Sequence, residues 1–170
     1  MFLPEWAPQD PKRAAEIALR AEDSARRRAG LALVLPEYAK RDPAQTEAWL
    51  RELAAAPENA QTSGDLAFLT ALARARFALG HTDEARRTAA TAMSLGKLFA
   101  AKRDKEKPVY SFDGASELHD LAQSWGEFQP DDLAAFSSLA STPDESVRLF
   151  LMAAAVRGAL RHRPGYREPI

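Results

Sequence analysis

The chain has 170 residues and a formal net charge of −1, long enough to bury roughly 70% of its unfolded surface as one domain. It contains no cysteine, which removes disulfides, thiolate zinc sites and cysteine nucleophiles together, and its near-neutral balance supplies no global field toward nucleic acid or anionic lipid. Valine occurs four times and isoleucine twice, too few to face a pleated sheet, whereas alanine, leucine, arginine and glutamate abound, so the composition predicts an all-α protein.

The opening stretch, Met1-Phe2-Leu3-Pro4-Glu5-Trp6, has neither a basic region nor a long apolar run, so no secretion signal is expected there. No stretch reaches the roughly 20 apolar residues of a membrane span. These readings predict a soluble, cytoplasmic protein without membrane contacts.

Helix starts are marked by aspartate and proline. Asp10-Pro11 and Asp42-Pro43 each offer a capping carboxylate followed by a proline, whose missing N–H costs nothing in a first turn. Pro130-Asp131-Asp132 and Pro143-Asp144-Glu145 place acids where a helix dipole favours negative charge. Reading between these signals predicts helices over 11–22, 24–41, 43–56, 64–79, 82–101, 114–126, 130–140 and 143–162. Pro36 falls inside the second of these and predicts a kink, because its ring crowds the carbonyl of Ala32. The longest irregular piece, 102–113, is read as a loop between packed layers of a single domain spanning 1–170.

Two segments share a frame of aspartate, arginine four residues later, a small-residue apolar helix, then a basic end and proline. One runs from Asp23 through Arg27 to Leu35 and Pro43, the other from Asp144 through Arg148 to Val156 and Pro164. Such similarity suggests a helical array.

The stretch 66–98 reads as two helices joined at Gly80-His81-Thr82-Asp83. Leu69, Leu72 and Ala73 precede the glycine, and Ala85, Ala89 and Ala92 follow it. This pattern resembles a tetratricopeptide repeat, departing at Arg76, where the family has an aromatic residue, and lacking a proline near 97. The resemblance covers about a fifth of the chain. The remainder is generally similar to irregular tetratricopeptide or HEAT-like arrays. What the resemblance implies is a stack of antiparallel helical hairpins, an α-solenoid-like scaffold that binds a protein partner.

Several charged residues invite a role. Arg76 points into the apolar arc formed by Leu66, Phe68, Leu69, Leu72 and Ala73, where a guanidinium must reach solvent or find an acid. It is either half of a structural ion pair or an anion-recognising side chain on a groove, with Arg74 beside it. Arg26-Arg27-Arg28 sits in a first turn, where Glu22 and Asp23 offset it. Lys97, Lys102, Arg103, Lys105 and Lys107 suit a helix C-terminus and could also meet a polyanion.

His119-Asp120 is similar to the histidine–aspartate pair of the helical HD-type metal phosphohydrolases, with His81 upstream and Asp131 or Asp132 downstream. Leu121-Ala122 follows the pair where that family often has Gly-Lys, and a further histidine is missing. His162 lies in a basic helix end. No nucleophile elbow or glycine-rich phosphate loop is present. Trp6, Trp49 and Trp125 lie on separate elements and read as core anchors. Gly158, in a helix apolar nearly all round, predicts close backbone approach by a neighbour; that helix is expected to be central or covered by a partner chain.

The expectation is therefore a non-enzymatic protein-interaction scaffold that accepts a peptide or helix. Arg74, Arg76, Lys97, Lys102 and Arg103 are its candidate contacts, and no cofactor or metal is expected. The alternatives are a nucleic-acid accessory protein using 97–107 and an HD-like phosphohydrolase. Sequence does not choose between a monomer and a homodimer.

Overall fold

A computed structural model describes residues 10–52 and 61–161. Among them every regular element is helical. The chain divides into two compact units, one ending at Ala89 and the other beginning at Ala90.

In the first unit aspartates cap three of the helices, Asp10 and Asp42 where the sequence predicts them and Asp23 in addition. Asp10 accepts a hydrogen bond from the Arg13 N–H at 3.1 Å ahead of α1 (Pro11–Leu19). Asp23 accepts from Ala25 ahead of α2 (Ser24–Ala32), and Asp42 accepts from Gln45 ahead of α4 (Pro43–Glu52). Pro36 does more than kink the second predicted helix. The chain leaves the helix at Leu33 and Val34 and restarts as α3 (Leu35–Arg41), with the proline in its first turn. A break there frees the Ala32 carbonyl from the ring and uses the missing N–H where none is needed. Residues 53–56 of the predicted third helix lie outside the described residues.

Helix α5 (Ser63–Ala78) is held at its start by a capping box. The Thr62 hydroxyl accepts from the Asp65 N–H, while the Asp65 carboxylate accepts from the Thr62 N–H. Arg28 of α2 lies 3.1 Å from the other carboxylate oxygen. Burial alone would raise the Asp65 pKa, but the Thr62 hydroxyl, two backbone N–H groups and Arg28 outweigh it and hold the carboxyl below its ordinary value. Thr62→Ala is expected to cost about 1 kcal/mol, read from the urea midpoint.

The apolar arc predicted for α5 is wider than expected. Thr70 and Ala71, on the supposed outer side, are both 3% exposed, so α5 is enclosed nearly all round, with α2 and α3 packed against it. Ala14, Ala15 and Ala18 of α1, Leu31, Leu35 and Trp49 complete this core. Trp49 stacks on Tyr38 with centroids 4.6 Å apart. Trp6 lies outside the described residues.

α6 (Thr82–Ala100) starts in the first unit and ends in the second. The second unit continues through a loop carrying a 3₁₀ turn at Val109–Ser111, then α7 (Ala115–Phe128), α8 (Leu133–Leu139) and α9 (Glu145–Leu160). Trp125 is buried against Phe136, centroids 5.6 Å apart, and its indole N–H donates to the Asp132 carbonyl. α7 and α9 cross through two glycines. A Cβ on Gly158 would lie 1.9 Å from the Gln123 carbonyl oxygen, and one on Gly126 would lie 1.8 Å from that of Ala155. Gly158 thus meets the backbone neighbour its sequence context predicts. α9 packs against α7 and α8 over part of its surface. It buries Val147, Leu151, Ala154 and Ala155 and leaves Leu149 56% and Val156 40% exposed.

Candidate partner-binding surface

Gly80, at φ +80°, turns the chain between α5 and α6 in a left-handed conformation that a side chain would strain. The turn brings Arg76 against α6. Its guanidinium donates to the Thr88 hydroxyl and its Nε lies 4.0 Å from Glu84 Oε2. Thr88 in turn donates to the Glu84 carbonyl. Burial depresses the Arg76 pKa and Arg87 adds to the fall, while Glu84 opposes it; the group stays charged at neutral pH. Arg76 therefore meets a hydroxyl and an acid of the next helix. Arg74 is half-buried on the same helix.

Beside this turn lies a cleft of about 440 Å³ lined by Gly80, His81, Thr82, Asp83, Glu84 and Arg87. His81 stands between two acids, with Nε2 2.8 Å from Glu47 on α4 and Nδ1 3.5 Å from Glu84. Both ring nitrogens thus face carboxylate oxygens. In the second unit, His119 lies 3.6 Å from Asp120 and tilts against the Phe150 ring, centroids 5.6 Å apart, as a boundary histidine does. Among the described residues no group of three or more histidine, aspartate and glutamate side chains is arranged to hold a metal ion. His162 lies outside the described residues.

The basic run of α2 is engaged locally. Arg26 is 3.7 Å from Asp23, Arg27 donates twice to the Ala21 carbonyl, and Arg28 meets Asp65.

Three of the other predicted cations, Lys102, Arg103 and Lys107, line a second cleft, also about 440 Å³, where α6 ends. Phe99, Lys102, Arg103, Lys107 and Phe112 line it together with Asp104, Ser111 and Asp113. The Arg103 side chain is 6% exposed and makes four hydrogen bonds. Nη2 and Nε donate to Asp144 Oδ2 at 2.8 and 3.3 Å, and Nη1 donates to the carbonyls of Lys107 and Asp104 at 2.8 and 3.2 Å. Asp144 Oδ1 meanwhile caps α9 through the N–H groups of Ser146 and Val147. One carboxylate thus ties the loop to the start of α9, and the Arg103 hydrogen bond holds its pKa below the ordinary value. Lys107 lies 3.8 Å from Asp104. Lys97 is half-buried, and burial pushes its pKa down. Lys102 is exposed on the cleft and forms no ion pair among the described residues.

The structure therefore gathers Lys102 and Arg103 at one cleft, while Arg74 and Arg76 share α5 in the first unit. Phe99 and Phe112 were not singled out from sequence, although they bracket the basic loop on both sides. Among the described residues no helix is long and apolar enough to cross a membrane. No family model, curated protein or solved structure matches the chain.

Proposed function

We propose that the chain is a cytoplasmic protein-interaction scaffold, an irregular tetratricopeptide-like stack of hairpins that accepts a peptide or a partner helix. One observation carries this reading. Leu69, Leu72, Ala73, Ala85, Ala89 and Ala92, the positions of the repeat-like pattern, are all buried at 4% exposure or less, and Gly80 makes the turn between them. Burial of small residues at these positions is what close hairpin packing requires, and stacked hairpins present extended binding surfaces. Asp23 and Asp144, which open the two similar segments, both cap the helices that follow them, in keeping with a repeated unit. Apolar clefts would supply affinity and cations orientation.

The test is affinity capture with the immobilised full chain, followed by titration of each captured protein after purification. The expected result is one or two proteins that rebind in isolation, with binding reduced in Arg74→Ala if the α5 face takes part. Arg76→Met separates that arginine's two roles. Binding lost at an unchanged melting temperature assigns it to the partner face, and a lowered melting temperature assigns it to the fold. Failure of every captured protein to rebind would overturn the proposal.

A further inference from the structure

We propose that His81 is a proton-dependent latch between α4 and the turn that joins α5 to α6. The ring spans elements far apart in sequence. Its Nε2 lies 2.8 Å from Glu47 Oε1 on α4, and its Nδ1 lies 3.5 Å from Glu84 Oε2 on α6. An ionised carboxylate only accepts, and a neutral imidazole carries its hydrogen on one nitrogen. Whichever neutral tautomer forms, a ring lone pair is left pointing at a carboxylate oxygen. Only the imidazolium presents a donor to both acids, and it adds charge attraction to each contact.

The surrounding groups give the proton a second consequence. Glu84 is shared, because the Arg76 Nε of α5 lies 4.0 Å from the same Oε2 that faces His81. With the ring charged, Arg76, Glu84, His81 and Glu47 alternate in sign from α5 through α6 to α4. With the ring neutral, Glu84 is left to Arg76, and α4 keeps at most one hydrogen bond through Glu47. Asp83 and Arg87 of α6, one of each sign, line the cleft beside the ring. Arg51 of α4 directs its Nε to the Glu47 backbone carbonyl at 3.3 Å. The His81 and Glu47 side chains are 37% and 33% exposed, so protons exchange with solvent without any opening of the fold. α4 packs on α3, where Trp49 stacks on Tyr38, and the latch carries it on to the hairpin. Histidine is the side chain whose charge ordinarily changes between pH 5 and 8. The latch is therefore fastened at the acid end of that range and loosens as pH rises.

Amide and histidine-ring NMR spectra of the full chain, followed from pH 5.5 to pH 8, test the latch. The expected result is that amides of 45–49 on α4 move in step with the His81 ring signal. Those movements should be lost in His81→Gln and persist in His119→Gln. A double-variant cycle of His81→Gln and Glu47→Gln gives the strength of the link. The non-additive part of the melting temperature should be about 1–3 °C at pH 5.5, as befits a part-exposed ion pair in a chain of this length. At pH 8 it should fall below about half of that value. Amides of α4 that stay still in the parent, or that move as much in His81→Gln, would overturn the latch. A non-additive part equal at both pH values, or absent from both, would overturn it as well. The latch stands or falls independently of the scaffold reading, since neither measurement involves a partner.

Discussion

Gly158→Ala is expected to destabilise the protein by about 3 kcal/mol, although alanine is the better helix former by about 1 kcal/mol. The added methyl would sit 1.9 Å from the Gln123 carbonyl oxygen and 2.9 Å from the Glu127 nitrogen, both backbone atoms of α7. A crowded side chain can change rotamer; a helix backbone can yield only by moving the whole element. Gly126→Ala meets the mirror situation, with the Ala155 oxygen at 1.8 Å and the Ala159 nitrogen at 2.8 Å, and a similar loss is expected. The two glycines serve one crossing, so the double variant should lose clearly less than the sum of the singles, because helices already separated by the first methyl accommodate the second. Gly64→Ala is the control. Its nearest neighbour would be the Thr62 hydroxyl at 3.7 Å, and the change should be neutral or stabilising by up to about 1 kcal/mol. Urea unfolding followed by helical circular dichroism measures all four variants. A Gly158→Ala protein as stable as the parent would show that α7 and α9 do not cross as closely as described.

Arg103→Gln should lower the melting temperature by on the order of 5–10 °C, since it strands a carboxylate and two loop carbonyls that a buried guanidinium now satisfies. Its effect should depend on pH, and the sign follows from Asp144. Hydrogen bonding by Arg103, with help from the backbone donors of Ser146 and Val147, holds the folded-state pKa of Asp144 below its ordinary value. A carboxyl depressed by folding stabilises fully above its unfolded pKa, about 3.9, and loses that contribution as pH falls through the folded value. The parent should therefore lose melting temperature steeply below about pH 4. Asp144→Asn, which keeps an acceptor for the cap but not the charge, should start lower at pH 7 and fall less steeply. Asp65 is depressed by its own capping box, so part of the acid slope will persist in that variant. Melting curves between pH 7 and pH 3 decide the matter, and parallel slopes for parent and Asp144→Asn would contradict it.

The scarcity of β-branched residues was enough to exclude a sheet among the described residues, because no pleated face could be filled from six valines and isoleucines. Asp10, Asp23, Asp42 and Asp144 cap helices because the acceptor and the N–H groups it serves lie within one turn, and such chemistry is readable from neighbours in sequence. Thr62 and Asp65 had the same local signature, three residues apart, and were legible in principle. Gly158 stood out because its helix is otherwise apolar; Gly126, its counterpart, lies between Gln123 and Glu127 and nothing local marks it. Arg103 read as one more cation at a helix end, yet its carboxylate is 41 residues away. Arg76 read as an intruder in an apolar arc, and its hydroxyl partner lies 12 residues on, across a turn. What this sequence determined by itself is that its regular structure is helical and where the aspartate-capped helices begin, since both depend on contacts within a turn or two. Which charges are used up inside the fold, and which are left facing a cleft, was decided only when the helices packed, because an ion pair between distant residues has no energy until tertiary structure brings them together.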